Sequence, residues 1–209
     1  MNPPPLISMI GPDLDAMGGI SSVARTWLGA ETMSGLDVQY FGTMRNTKTT
    51  AEKAALVVRR QARFVARLAS GWRPDLFHIH ASYFSSFYRK MAYFKQASAT
   101  GRPVLLHLHA PDLPAFYEAS RFHRGAIRHV LKKAARVVVL SEDMGSIIQD
   151  WMGDDARIQV LYNPVLLDRF SCPVRPEREH PVMLFMGEIG ERKGAWDLLE
   201  AAARVIRRV

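Results

Sequence analysis

Two short apolar runs in this chain end in alternating histidines, LFHIH over Leu76–His80 and VLLHLH over Val104–His109. Alternation along a strand places His107 and His109 on one side, with His109 nearest the carboxyl end. His78 and His80 repeat the arrangement one run earlier. A neutral imidazole at His109 can accept a proton or hydrogen-bond a substrate hydroxyl. Four histidines in such pairs also raise the question of zinc. No carboxylate or cysteine set accompanies them, so no metal is expected. His78 and His107, inside their strands, read as hydrogen-bonded structural residues.

Two glycine-bearing loops are the other candidates. GPDLDAMGGIS follows the apolar run ending at Ile10, and Gly18 and Gly19 directly precede a helical pattern whose first turn carries Ser21 and Ser22. Paired glycines let a backbone approach a ligand closely, and a helix N-terminus offers free N–H groups to an anion. The spacing is not that of the GxGxxG fingerprint, which disfavours a nicotinamide cofactor. A loop that needs glycine only to turn is the level alternative on the residues alone. The second loop, Gly187 to Gly194, holds adjacent Arg192 and Lys193.

Positioning these residues requires strands that end where the loops begin. Short apolar runs alternate with helical patterns, as in a doubly wound parallel sheet. The pattern predicts strands at Leu6–Ile10, Val38–Phe41, Leu76–Ile79, Val104–Leu108, Val137–Leu140 and Gln159–Leu161. Helices are expected near Ser21–Glu31, Ala51–Ala69, Phe84–Ala99, Arg121–Ala135 and Asp143–Trp151. This is an α/β, Rossmann-like domain over residues 1–165. A proline-rich, charged linker is expected over 166–181. Val182–Met186 then reads as a strand buried on both faces, and Ala195–Val209 as a helix with no closing signal. One strand and one helix cannot cover each other, so 182–209 reads as the opening of a second Rossmann-like domain. Met183, Phe185, Trp196 and Leu199 should lie partly uncovered. Two such units in tandem would hold a ligand at the carboxyl ends of their strands.

Composition narrows the class. With 209 residues, 48% hydrophobic and 10% aromatic, the chain has ample material for a core. The single Cys172 excludes an internal disulfide and suits a reducing, cytoplasmic compartment. MNPPPLISMIG has no basic leader region, and its apolar run is far too short for a signal peptide or membrane span. The net charge of +8 favours polyanionic partners: nucleic acid, anionic lipid or phosphorylated small molecules.

Six segments occur together in a particular order: GGISSVARTWL, HIHAS, LLHLHAP, ARVVVLSE, VLYNPVLLDRF and FMGEIGERKGAWDLLEA. In that order they resemble the GT-B glycosyltransferases, and family 4 above all, over nearly the whole chain. The resemblance implies retaining transfer of a sugar from a nucleotide-sugar donor to an acceptor hydroxyl. No cofactor or metal is required, and many relatives serve bacterial polysaccharide or glycolipid synthesis. Residues 1–165 would be the acceptor-side domain and 182–209 the start of the donor-binding domain. Gly18 and Gly19 map onto the loop near the donor diphosphate, His109 onto the histidine that meets the transferred sugar, and Lys193 onto the lysine that neutralises the leaving diphosphate. A fixed cation there stabilises the charge that the departing phosphate gains. Two departures stand out. Glu188 occupies the place of a family arginine, so that Arg192 would have to supply its charge, and the Glu-x7-Glu segment that grips the nucleotide sugar is not within these residues. The chain alone is therefore expected to be inactive.

Two basic helices complete the reading. Arg59, Arg63 and Arg67 recur at helical spacing, and Arg121–Arg136 carries Arg124, Arg128, Lys132 and Lys133 without an acidic residue. Such faces suit peripheral contact with an anionic membrane at its inner surface, especially with a lipid-linked sugar acceptor. A solvated outer face is the plainer reading of the helices alone. Nucleic-acid binding is disfavoured, since no basic patch interleaves with stacking aromatics. An inactive interaction module and a GT-B-fold sugar-nucleotide epimerase remain as alternatives.

Overall fold

A computed structural model describes residues 3–153, 157–167, 170, 182–187 and 189–206, with Thr32 and Arg192 described by their backbone only. The chain divides into two compact units, one up to Leu166 and one from Leu167. The first is built on six parallel strands: β1 Leu6–Gly11, β2 Asp37–Gly42, β3 Leu76–Ala81, β4 Val104–Leu108, β5 Arg136–Val139 and β6 Ile158–Val160. Their order is β2-β1-β3-β4-β5-β6, all pairs parallel. This is the Rossmann-like α/β sheet expected from the alternating pattern. The order of strand addition reverses between β1 and β3, the place where open sheets of this kind bind ligands.

The helices are α1 Gly19–Leu28, α2 Thr50–Ala69, α3 Ser85–Ser98, α4 Leu113–Glu118, α5 Arg121–Lys133 and α6 Glu142–Met152, with a 3-10 turn at Glu31–Met33. Local chemistry sets several starts. Thr49 and Glu52 form a capping box: the threonine hydroxyl accepts from the Glu52 amide at 3.1 Å, and the glutamate accepts from the Thr49 amide at 3.4 Å. Ser120 and Ser141 cap α5 and α6 by accepting from His123 and Met144 amides. The core lies between sheet and helices, around Phe64, Phe77, Tyr93, Phe94, Leu106, Phe116 and Ile148, all nearly inaccessible.

Two elements differ from the sequence pattern. α4, six residues long, falls within a stretch that predicts no helix. Leu113, Phe116 and Tyr117 are its buried face; six residues are too few to display a period, and Pro114 reads as a loop signal although it is tolerated at a helix start. Conversely, Val182–Met186 forms no strand. A strand needs a hydrogen-bonded neighbour, and none pairs with it among the described residues. Val182, Met183, Leu184 and Met186 are exposed. The turn Glu191–Lys193 and the following helix, α7 Ala195–Ile206, do form. Trp196 and Leu199 lie exposed and Phe185 half-buried, the uncovered apolar face expected of this segment. Most of the expected linker, with Cys172, Glu188 and Val209, lies outside the described residues.

Beneath the loop after β1 sits a small polar cluster. Asp13 accepts from Arg60 of α2 at 2.7 Å. Its amide donates to the Met44 carbonyl at 2.7 Å, and its carbonyl accepts from the Ser21 hydroxyl at 2.9 Å. Lys90 of α3, 2% exposed, donates to the Thr43 hydroxyl, which donates in turn to the Gly11 carbonyl at 2.8 Å. Burial pushes the Lys90 amine well below its ordinary range. Gly42 faces this cluster: a Cβ there would overlap Asp13 Oδ1 and lie 2.9 Å from its Cγ and 3.3 Å from its Cα. The carboxylate cannot swing aside while Arg60 holds it. Gly42→Ala should therefore cost about 1–3 kcal/mol, the range for inserting a group into filled space. Urea denaturation checks this, and a loss below a few tenths of a kcal/mol would mean the loop yields freely.

Candidate functional site

All six strands run the same way, so their carboxyl ends and the loops that follow share one side. A cavity of about 460 Å³ opens there. Gly18 and Gly19 line it from the loop after β1, Ser82 from that after β3, His109 and Pro111 from that after β4, and Asn163 from the chain beyond β6. A wider cavity of about 610 Å³ lies along the β2–α2 connection, against Arg45, Lys48, Glu52 and Arg59. Only one strand end feeds it, and its carboxylate is committed to capping α2. Convergence of several loops at the sheet's switch point favours the smaller one.

Gly18 adopts φ 153°, a backbone conformation that favours glycine. At both Gly18 and Gly19 a Cβ would meet nothing within 4 Å, so neither is required by protein packing, and that space is open to a ligand. No side chain caps α1, which leaves its first-turn amides turned to the cavity end of the helix. Ser21, fully buried, is spent on the Asp13 carbonyl, so it braces the loop and is not free for a ligand.

The histidines form a ladder across β3 and β4. Their register pairs His80 with His107, and alternation puts His78, His80 and His107 on one face. His80 Nδ1 and His109 Nε2 are 2.9 Å apart, and His78 Nε2 and His107 Nδ1 3.3 Å apart. The indole of Trp27 in α1 covers the ladder, 5.3 Å from His78, 5.9 Å from His80 and 5.4 Å from His107 between ring centroids. Burial pushes His109 down to about 4, His78 to about 3 and His107 to about 2, and His80 well below its ordinary value, with the mutual proximity of the rings adding to the shift in His78, His80 and His107. All four are neutral near pH 7.

Neutrality fixes what His109 offers. Its Nε2 is engaged by His80, leaving Nδ1 as the remaining ring nitrogen. If His80 donates, His80 Nε2 becomes a bare acceptor; if His109 donates, His80 Nε2 is a buried N–H without a partner. The second arrangement is the more costly, since orphaned buried donors are the rarer case. His109 then carries its proton on Nδ1, where it can serve as a hydrogen-bond donor. Sequence reasoning placed His109 correctly at the strand end but gave no partner to it. The signal was present: two His-x-His pairs on adjacent parallel strands must meet across the register.

The second loop belongs to the second unit. Lys193 is exposed at the end of its 3-10 turn. Gly194 takes φ 70° and passes the chain into α7. The Arg192 side chain lies outside the described residues. Among the basic helices, Arg59 and Arg63 are exposed. Arg67 is not free, since it donates to Gln39 at 2.5 Å and stacks over Trp72 at 4.1 Å. Arg124 pairs with Glu118 at 3.3 Å.

The sequence model of glycosyltransferase family 4 matches residues 18–169, which takes in the cavity's lining from Gly18 onward. The chain belongs to glycosyltransferase family 4. Among solved structures, sucrose-phosphate synthase from Thermosynechococcus elongatus is similar, with a TM-score of 0.58 and 15% identity over 79% of this chain. At that identity the likeness is one of fold. The chain spans 50% of that structure's length. No curated protein sequence matches this one. No helix among the described residues is long and apolar enough to cross a membrane.

The neutral ladder gives this fold a pH dependence. Folded imidazoles titrate below their unfolded value of 6.5, so below that pH the unfolded chain binds protons that the native state does not. Stability should fall as pH drops from about 6.5 to 5, before carboxylates dominate. Urea midpoints measured across this window should decline steadily, and less steeply in His78→Phe. A flat profile would mean the rings are solvated.

Proposed function

We propose that this chain supplies the acceptor-side domain, and the opening of the donor-side domain, of a retaining glycosyltransferase. Its reaction moves a sugar from a nucleotide-sugar donor to an acceptor hydroxyl. The observation that carries this reading is the meeting of Gly18, Gly19 and His109 in one cavity at the switch point of a family 4 domain. The open glycine backbone and uncapped α1 suit a diphosphate, and a neutral, donating His109 suits a sugar hydroxyl. Lys193, exposed beside a helix N-terminus, suits the phosphate that leaves. No step here needs a metal. A lipid-linked acceptor in bacterial polysaccharide or glycolipid synthesis fits the exposed Arg59 and Arg63.

In the protein carrying a complete second domain, Lys193→Ala should lower turnover on the order of a hundredfold, about 3 kcal/mol, with a smaller effect on donor affinity. His109→Ala should also abolish most transfer, His80→Ala less. The product's anomeric configuration, read by NMR, should match the donor's. Full turnover in Lys193→Ala would remove the loop from the diphosphate, and an inverted product would remove the retaining mechanism.

Membrane contact is tested on the chain itself. Each cation at an anionic surface contributes about 1 kcal/mol, so Arg59→Ser with Arg63→Ser should weaken sedimentation with phosphatidylserine vesicles roughly thirtyfold. Arg67→Lys, already committed to Gln39 and Trp72, should change it little. Equal effects at all three positions would mean the vesicles do not meet this face.

A further inference from the structure

The histidine ladder holds more than sugar transfer uses. His80 Nε2 and His107 Nε2 are buried and have no hydrogen-bond partner, and both residues are 0% exposed. Orphaned buried ring nitrogens are uncommon, and an ion is one of the standard ways they are satisfied. One ring nitrogen from each of His78, His80 and His107 lies within 4.8 Å of the other two. We propose that these three residues form a buried site for a divalent transition metal of the zinc class, distinct from the transfer chemistry.

Several features of the ladder support this. The ring nitrogen of His80 opposite its orphaned one is already held by His109 at 2.9 Å. Metal-bound imidazoles are built this way, with one nitrogen on the ion and the other fixed by a hydrogen bond. His78 binds the ion by giving up its 3.3 Å contact with His107. A set of three histidines without a carboxylate is an established zinc set, and imidazole nitrogens select zinc, cobalt, nickel or copper over magnesium or calcium. Zinc–nitrogen bonds of about 2.0–2.1 Å put tetrahedral donors roughly 3.3 Å apart, so the separations, all within 4.8 Å, must close by at most about 1.5 Å. The strands fix the histidine backbones, so that closure falls to side-chain rotation. Trp27 closes one side of the ladder, while His109, which borders the cavity, stands between the ladder and solvent. Lys90 is the cation whose field reaches His80. Its burial suppresses its charge, so it opposes a bound ion less than an exposed lysine would.

The test uses the whole 209-residue chain after chelator treatment. Titration with cobalt(II) should show one saturable equivalent at micromolar concentration, with visible absorption of a tetrahedral or five-coordinate nitrogen site. Zinc should displace it. Bound cobalt should quench tryptophan fluorescence, and Trp27→Phe, which leaves all three ligands in place, should keep the equivalent and lose most of the quenching. His80→Gln should weaken binding on the order of a hundredfold or more, whereas His129→Gln, on the exposed face of α5, should leave it unchanged. The absence of a saturable equivalent overturns the proposal, leaving the ladder a hydrogen-bonded stack. Quenching that survives in Trp27→Phe, or binding that survives in His80→Gln, overturns it by placing the ion elsewhere. Sugar transfer plays no part in the readout, so failure of the transfer reading would leave this result standing.

Discussion

Parallel pairing of β3 with β4 places His80 beside His107, and that register governs the rest of the site. A shift of one residue would turn every side chain of the strand to the opposite face. His109 would lose the partner that holds its Nε2, and Trp27 would cover a different row. The register is secured by what surrounds it: Phe77, Ile79, Leu106 and Leu108 alternate with the histidines and are buried on the other face. Apolar packing on one side of the sheet thus fixes polar geometry on the other. The site costs the fold little extra ordering, because the strands that carry it are already the centre of the core.

Hydrogen bonding then transmits that order outward to the loop that carries Gly18 and Gly19. Asp13, Thr43, Arg60 and Lys90 belong to four different segments: Arg60 holds the Asp13 carboxylate of the loop, Thr43 bonds the Gly11 carbonyl at the strand end that launches it, and Lys90 holds Thr43. Such a network stabilises a loop that has few apolar contacts of its own. It also explains why the loop can leave open space at two successive glycines without collapsing into it. The cavity is a consequence of the brace.

Much of this was legible in the sequence, and the gaps have physical causes. Six strands and five helices follow from period and length, because each spans enough residues to show its pattern. α4 was not legible, since six residues with a proline near the start resemble a turn. Val182–Met186 has the composition of a central strand, but composition does not supply a neighbour, and none pairs with it among the described residues. His109 could be singled out from its place at a strand end. Its pairing with His80 needed the register, which depends on contacts between segments 29 residues apart. The assignment of Arg59, Arg63 and Arg67 to one free surface failed at Arg67 because helical spacing says nothing of Gln39 and Trp72 waiting on another part of the chain.

Asp13 and Gly42 share a single small volume. The carboxylate occupies the space where any side chain at position 42 would begin, and Arg60 holds it there. Neither position drifts freely: a larger residue at 42 loses stability unless position 13 shrinks, and a shrunken 13 takes away the partner of Arg60. The three residues constitute one inherited character spread over three codons. Their free energies of substitution should be strongly non-additive, and a family member that differs at one of them should differ at the others.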